Sequence, residues 1–211
     1  VNNMKIIAVI DTNVLVSALL SRFKNTSTVQ LLQLLILGDI TPIYNDEILN
    51  EYQDVLTRPK FGFPNTIIDE TLEVIKRYGI NSSRKESNEQ LPDPKDIVFY
   101  EVALSVDDSY LVTGNTKHFP KKPFVVTPAE MLQIIHETKS PKNTILSEPK
   151  TSTIERLNAH KYTLFKFLTA YIVPDSKSKK GNLVPKSAQK PRKTIPSHTK
   201  IAFFVWDGIN I

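Results

Sequence analysis

The sequence predicts a three-layer α/β/α domain with a mostly parallel central sheet over its first 140 residues. The first observation is a pair of short continuous apolar runs, Ile6–Ile10 and Ile40–Tyr44, which are typical of strands buried on both faces. The second is that stretches of helical periodicity separate these runs from later strand-like segments. Strands that alternate with helices form βα units, in which parallel strands carry helices on both faces of the sheet.

The individual elements follow from apolar periodicity and from the residues that begin or end a helix. Gly38 and Gly79 suit helix ends, whereas Pro94 and Pro128 suit the first position of a helix. A polar loop is expected at 81–90. In chain order, the predicted elements are strand Ile6–Ile10, helices 14–20 and 28–37, strand Ile40–Tyr44, a helix capped by Asn45 or Asp46 that reaches about Thr57, helices 66–78 and 94–106, strands Tyr110–Thr113 and Phe124–Thr127, and helix 128–137.

The chain changes character after residue 140, so we expect one domain at 1–140 and a basic extension at 141–211. Residues 1–141 carry 14 Lys/Arg against 18 Asp/Glu, whereas residues 142–211 carry 13 against 4. A capping-box pattern predicts a helix at 153–173, and the segment 174–200, rich in proline and lysine, is predicted to be disordered. Such an extension suits contact with nucleic acid, and a solvated tail without a partner is the alternative.

Composition excludes several classes of protein. Without cysteine there is no disulfide framework, thiolate metal site or cysteine nucleophile. The six scattered glycines form no phosphate-cradling loop of the dinucleotide or P-loop type. The most apolar window, 162–173, is too short to span a bilayer, and no stretch has the layout of a signal peptide. We therefore expect a soluble cytoplasmic protein with no membrane partner.

Two polar residues stand directly after predicted strands. Asp11 follows the first strand, and Asn115 follows the strand Tyr110–Thr113 after a single glycine. In parallel α/β sheets the ligand site lies at the carboxyl ends of the strands, so both side chains are expected at one edge. A carboxylate in the position of Asp11 is also a common helix cap, and both interpretations stay open.

Helix geometry selects Glu51 among the acids that follow the second strand. At 100° per residue, Glu51 lies about 40° from Val55, at the border of the apolar face of its helix. Glu47 and Asp54 fall farther toward solvent. A carboxylate at the edge of a buried face needs a partner or a metal, so a bridged glutamate is the alternative to a site role.

The same geometry separates the acids of the segment Leu91–Asp96. Asp93 precedes a proline at the first helical position and is the natural N-cap. Asp96 lies one turn in, about 20° from Ala103, and borders the apolar face. Glu101 points to the opposite face and is expected to be solvated. Asp96 is therefore the better ligand candidate and Asp93 the structural residue.

Together, Asp11, Glu51 and Asp96 could converge as a set of oxygen ligands. Such a set suits Mg²⁺ or Mn²⁺ rather than zinc. Three like charges in one cleft repel, and a divalent cation is the simplest species that holds them together. A site of this kind polarises a phosphate, lowers the pKa of bound water and stabilises in-line displacement.

These residues resemble the motifs of the PIN-domain family, particularly its bacterial toxin–antitoxin ribonuclease branch. The resemblance covers about residues 5–137, with the matching pieces in the family's order. No single piece is diagnostic, and the match depends on all four. The pieces are Ile10–Leu15, the Glu51–Tyr52 pair, Asp93–Asp96 with Phe99, and Leu111–Asn115.

The resemblance implies a metal-dependent endoribonuclease in which Asp11, Glu51 and Asp96 hold Mg²⁺ or Mn²⁺. Asn13 and Thr113 would support this cluster. By the same resemblance we expect a toxin that is neutralised by a cognate antitoxin and that forms a homodimer. Asn115 departs from the family, which commonly has aspartate there. Its carbonyl oxygen can still ligate, but with one charge fewer we expect one well-bound metal rather than two.

Basic residues beyond Asn115 are candidate contacts for RNA phosphates, namely Lys117, Lys121 and Lys122. His118, in the same stretch, is interpreted as a satisfied surface histidine rather than a catalytic one. Two other functions remain possible. One is a non-catalytic nucleic-acid-binding protein that keeps the fold. The other is a dehalogenase-type phosphatase, which would want a second aspartate where this chain has Asn13.

Overall fold

The computed structural model describes residues 6–139, 165–166 and 170–172. Five parallel strands form one sheet in the order β3-β2-β1-β4-β5, which confirms the predicted three-layer α/β/α fold. None of the helices in these residues could span a lipid bilayer. The elements are β1 Ile6–Ile10, α1 Thr12–Leu20, α2 Ser27–Leu37, β2 Ile40–Tyr44, α3 Asp46–Leu56, α4 Asn65–Tyr78, β3 Ile80–Asn81, α5 Ile97–Leu104, β4 Tyr110–Val112, β5 Val125–Val126 and α6 Pro128–Lys139.

Strand β1 occupies the centre of the sheet because both of its edges are paired. Its register places Ile6 beside Ile40 of β2 and Ala8 beside Tyr110 of β4. Helices cover both faces of a central parallel strand, and Ala8 and Val9 are fully buried. The carboxyl ends of β1 and β4 therefore lie side by side at one edge of the sheet.

Most predicted elements form within two residues of their expected bounds, and two differ. The helix expected from Pro94 begins as a 3-10 turn, Pro94–Asp96, before α5 starts at Ile97. Tight turns of this kind are common at the first turn of a helix. Strand β3 was not expected, since two residues are too few to show a periodic pattern. It pairs with β2 at one end of the sheet.

Gly79 ends α4, as predicted, but for a reason that the sequence does not show. Its φ of −94° is open to any residue, so no left-handed conformation is involved. Instead, a Cβ at this position would clash with the carbonyl oxygen of Ile75 in α4 and would lie 2.7 Å from that of Pro42 in β2. Glycine is therefore needed because the chain passes close both to the last turn of α4 and to the neighbouring strand.

Part of the C-terminal extension is helical and contributes to the core. Residues 165–166 and 170–172 are helical, and Ile172 is 3% exposed within the main apolar cluster. Phe165 and Tyr171 pack against this cluster. The rest of the predicted helix at 153–173 and the segment 174–200 lie outside the described residues. The division into a domain at 1–140 and an extension at 141–211 stays a prediction.

Replacing Gly79 by alanine is expected to destabilise the domain by about 2–3 kcal/mol, because the methyl group would overpack fixed backbone. The matched control is Gly62→Ala, where the space is open and only a φ of 64° opposes the change. We expect a cost of about 1 kcal/mol there. Chemical denaturation measures both variants. A Gly79→Ala protein as stable as Gly62→Ala would contradict the close approach.

Candidate functional site

Asp11 is held by donors from two elements at the carboxyl edge of the sheet. It is 6% exposed, and its backbone N donates to the carbonyl of Val112 in β4 at 2.9 Å. Its Oδ1 accepts a hydrogen bond from the backbone N of Asn13 at 3.2 Å, which caps α1. Its Oδ2 accepts from Thr113 Oγ1 and from Asn13 Nδ2, each at 2.6 Å. Asp11 thus caps α1 and is also fixed in the site region.

Asn13 and Thr113 join Asp11 to the turn that follows β4. Asn13 Nδ2 also lies 3.3 Å from Thr113 Oγ1, and Asn13 Oδ1 accepts from the backbone N of Gly114 at 2.8 Å. Thr113 Oγ1 accepts from the backbone N of Asn115 at 3.0 Å. A Cβ on Gly114 would lie 3.0 Å from Asn13 Oδ1, so glycine lets this turn approach closely. The supporting roles proposed for Asn13 and Thr113 have this network as their physical basis.

The charge on Asp11 is costly in this environment. Burial raises the pKa of Asp11 above its ordinary value, and the nearby charge of Asp96 adds to the increase. The hydrogen bonds from Thr113 and Asn13 act in the opposite direction. A buried carboxylate with a raised pKa and several donors is a common feature of functional sites.

Helix α3 brings Glu51 to the same region through its neighbour Tyr52. The buried Tyr52 hydroxyl donates a hydrogen bond to the carbonyl of Ile10, the residue before Asp11. Its ring packs against Phe99 of α5, with centroids 6.2 Å apart. Burial raises the pKa of Tyr52 far above its usual value, and the charges of Asp11 and Glu51 contribute to that increase. Both carboxylates therefore lie close to the tyrosine.

Glu51 is partly buried and carries an electrostatic cost of its own. Burial raises its pKa, and the charges of Asp54 and Asp96 add to this effect. Arg58 and Lys95 lower it. The prediction that Glu51 lies at the border of the apolar face agrees with its intermediate exposure, since its neighbours on that face, such as Tyr52, are buried.

Asp96 ends the 3-10 turn before α5, and its carboxylate points to His118. The side chain is 22% exposed, and Oδ2 lies 3.0 Å from His118 Nδ1. Its side chain makes no capping hydrogen bond to α5, whereas the side chain of Asp93 caps the 3-10 turn by accepting from the backbone N of Lys95 at 2.9 Å. The sequence interpretation of His118 as a satisfied surface histidine agrees with its 43% exposed imidazole, and the structure adds that its partner is Asp96.

Glu101 corrects one sequence prediction, because it is not solvated. It is 4% exposed, and its carboxylate accepts from Arg84 Nε and from the backbone N of Ser87, each at 2.8 Å. Arg84 also reaches Glu47 of α3 at 2.9 Å. Burial alone would raise the pKa of Glu101, but the bonds from Ser87 and Arg84 outweigh it and hold that pKa below its usual value. This glutamate ties the 82–91 loop to the domain.

The basic residues near the site differ in their availability. Lys117 and Lys121 are exposed on the stretch that follows Asn115. Lys122 is also exposed, but its Nζ lies 3.2 Å from Glu89. Asn115 is partly exposed, and its side chain does not cap the 3-10 turn Thr116–His118.

The three predicted carboxylates share one region without forming a closed ligand cage. Asp96 is the member whose charge acts on both Asp11 and Glu51. Among the described residues, no three His, Asp or Glu side chains already stand together as a metal-holding group. Mg²⁺ typically binds through one or two carboxylates and keeps several waters, so its binding does not require a preformed group of three acids.

Fold and site together define an α/β protein whose parallel sheet collects acidic side chains at its carboxyl edge. The family model described as PIN domain matches residues 7–117, just over half of the chain, and the protein belongs to that family. PIN domains are generally nucleases, so the family indicates a nuclease with a nucleic-acid substrate. The matched range includes Asp11, Glu51, Asp96 and Asn115. No curated protein and no solved structure matches the chain.

Thr113→Val is expected to destabilise the protein by about 1–3 kcal/mol, because it removes the Thr113 hydroxyl, one of the three donors to the buried Asp11 carboxylate. It should also raise the pKa of Asp11 further. Thr113→Ser, the control, keeps the hydroxyl and should lose less stability than Thr113→Val. Denaturant titrations at pH 7 measure the loss in each variant. A loss of stability in Thr113→Ser as large as that in Thr113→Val would contradict a dominant role of the hydrogen bond, since serine lacks only the methyl group.

Glu51→Gln is expected to stabilise the metal-free protein at pH 8 by up to about 0.5 kcal/mol, or roughly 1–2 °C in Tm, because solvent screens a carboxylate that is only partly buried. Because the pKa of Glu51 is raised on folding, the wild type loses stability as the pH rises from about 4.5 through the folded-state pKa. Glutamine avoids this loss, so the gain should vanish at pH 4. Glu47→Gln on the same helix instead loses a salt bridge to Arg84, so this variant should gain no stability. Thermal melts in EDTA at both pH values measure this difference. A gain independent of pH would contradict the electrostatic cause.

Proposed function

We propose that this protein is a metal-dependent endoribonuclease and that Asp11, Glu51 and Asp96 hold a Mg²⁺ or Mn²⁺ ion. The observation that carries the proposal is the environment of Asp11. Its carboxylate is buried and fixed by three donors, yet it lies close enough to Asp96 for that charge to raise its pKa. Fixing an acid beside another acid is costly for folding alone, and a bound cation removes that cost.

Each residue has a distinct part in the proposed site. Asp11 offers a carboxylate that is already oriented, since Asn13 and Thr113 fix its plane. Asp96 completes the acidic face from the 3-10 turn before α5, and Glu51 completes it from α3. When bound, the cation polarises the phosphate and lowers the pKa of the attacking water. Asn115 adds an amide oxygen rather than a fourth charge, which favours one well-bound metal.

The exposed lysines beyond Asn115 would contact the RNA backbone. Lys117 and Lys121 can meet phosphates directly, whereas Lys122 would exchange its bridge to Glu89 for a phosphate. The basic extension at 141–211 would add attraction that weakens with salt. These contacts position RNA and carry no information on its sequence.

We further propose that the nuclease is the toxin of a toxin–antitoxin pair and acts in the cytoplasm. This finer assignment is supported by the motif resemblance of residues 5–137. The exposed apolar side chains of Leu20 and Phe23, at and just beyond the end of α1, offer contact area for a cognate antitoxin or a second copy. A short neighbouring reading frame for a DNA-binding protein would support the pairing.

A non-catalytic RNA-binding protein is the second candidate, and Asn115 is the observation that favours it. The asparagine removes one negative charge from the acidic face. A phosphatase of the dehalogenase type is less well supported. Such enzymes use a second acid where this chain has Asn13. Here the amide nitrogen of Asn13 donates to Asp11 and Thr113, and its amide oxygen accepts from Gly114.

The deciding experiment incubates the protein with single-stranded RNA and Mn²⁺. We expect Asp11→Asn to lower the cleavage rate by about 10²–10³-fold, since a metal contributes several kcal/mol to this chemistry. Asp93→Asn is the matched control. Because Asp93 caps the 3-10 turn and is not a proposed ligand, this variant should keep most of the cleavage activity. Equal cleavage by wild type and Asp11→Asn would refute the catalytic assignment. Binding of RNA without cleavage would support the second candidate.

A further inference from the structure

The contact between His118 and Asp96 joins two elements that are 22 residues apart in the chain. His118 ends the 3-10 turn after β4, and Asp96 ends the 3-10 turn before α5. The distance from Nδ1 to Oδ2 is 3.0 Å, with the imidazole 43% exposed. The imidazole is therefore within reach of solvent and of a substrate as well as of Asp96.

Hydrogen-bond chemistry fixes the direction of this contact. An ionised carboxylate can only accept, so Nδ1 of His118 must carry the hydrogen. Both the neutral Nδ1–H tautomer and the protonated ring provide that donor. Oδ2 of Asp96 is thereby occupied, while Oδ1 has no hydrogen bond to any described residue. One oxygen is anchored and the other is left to act as a ligand.

The backbone around His118 is itself well fixed. His118 N donates to the carbonyl of Asn115 at 3.1 Å, which closes the turn. The next residue, Phe119, is buried in the core. Asn115 and His118 belong to the same short turn, and this anchored segment brings the imidazole to Asp96.

Asp96 needs such a donor more than Asp11 does. Asp11 receives three hydrogen bonds from Asn13 and Thr113. Among the described residues, His118 is the donor to the Asp96 side chain, which does not cap its own helix. Carboxylate ligands that lack such a partner sample several rotamers, and partners of this kind commonly set metal affinity.

We propose that His118 is a positioning residue that holds Oδ2 of Asp96 and so presents Oδ1 to the divalent cation. This inference rests on the proposed function, because it assigns Asp96 as a ligand. The imidazole does not touch the cation. Its effect reaches the metal through the orientation of Asp96 alone.

The test measures Mn²⁺ binding to the full chain by titration calorimetry at pH 7.5, without RNA. We expect His118→Ala to raise the Kd for Mn²⁺ by about 10–100-fold. His118→Asn should recover most of the affinity, because its amide nitrogen can replace Nδ1. His136→Ala, which removes an exposed histidine of α6, is the matched control and should leave the Kd unchanged. Circular dichroism in EDTA confirms that each variant is folded.

The outcomes separate this inference from the proposed function. Wild-type affinity in His118→Ala, together with loss of affinity in Asp96→Asn, would overturn the positioning role and leave the metal site intact. Equal losses in His118→Ala and His118→Asn would also overturn it, since the donor would then not be the relevant group. Wild-type affinity in both Asp11→Asn and Asp96→Asn would instead refute the metal site itself.

Discussion

The rest of the site depends on the burial of one carboxylate at the end of the central strand. Asp11 can stay there because Asn13 and Thr113 supply donors from two different elements. Those donors in turn fix the turn after β4, which carries Asn115 and leads to His118. A single electrostatic requirement thus orders residues more than a hundred positions apart in the chain. Without it, β4 could still pair with β1, but the turn after β4 would lose its side-chain hydrogen bonds to Asp11 and Asn13.

The order of the strands explains why these groups meet. Because β1 lies between β2 and β4, the segments that leave the carboxyl ends of β2 and β4 flank Asp11 from opposite sides. Tyr52 makes the first of these connections rigid, as its hydroxyl bonds to the carbonyl of Ile10 while its ring rests on Phe99. The side chain next to Glu51 in sequence therefore sets the distance between α3 and the central strand.

What the sequence could predict depended on whether a residue acts through its own element. Ile6–Ile10 was predictable because a strand buried on both faces must be apolar throughout. The difference between Asp93 and Asp96 was predictable because local helix geometry decides it. Glu101 was misjudged and the partner of His118 was not predicted, since Arg84, Ser87 and Asp96 come from other segments of the chain. Periodicity describes the face of a helix, but it does not show which distant loop covers that face.

The buried side chain of Ile172 limits how this protein can be shortened. A chain that ends near residue 140 would lose a group that is 3% exposed in the core, together with the packing of Tyr171. The apolar atoms beneath would then face water, and such a fragment would tend to aggregate for reasons unrelated to nucleic acid. Work that seeks to remove only the basic segment has to cut beyond Ile172, and a boundary after Asp175 satisfies this condition.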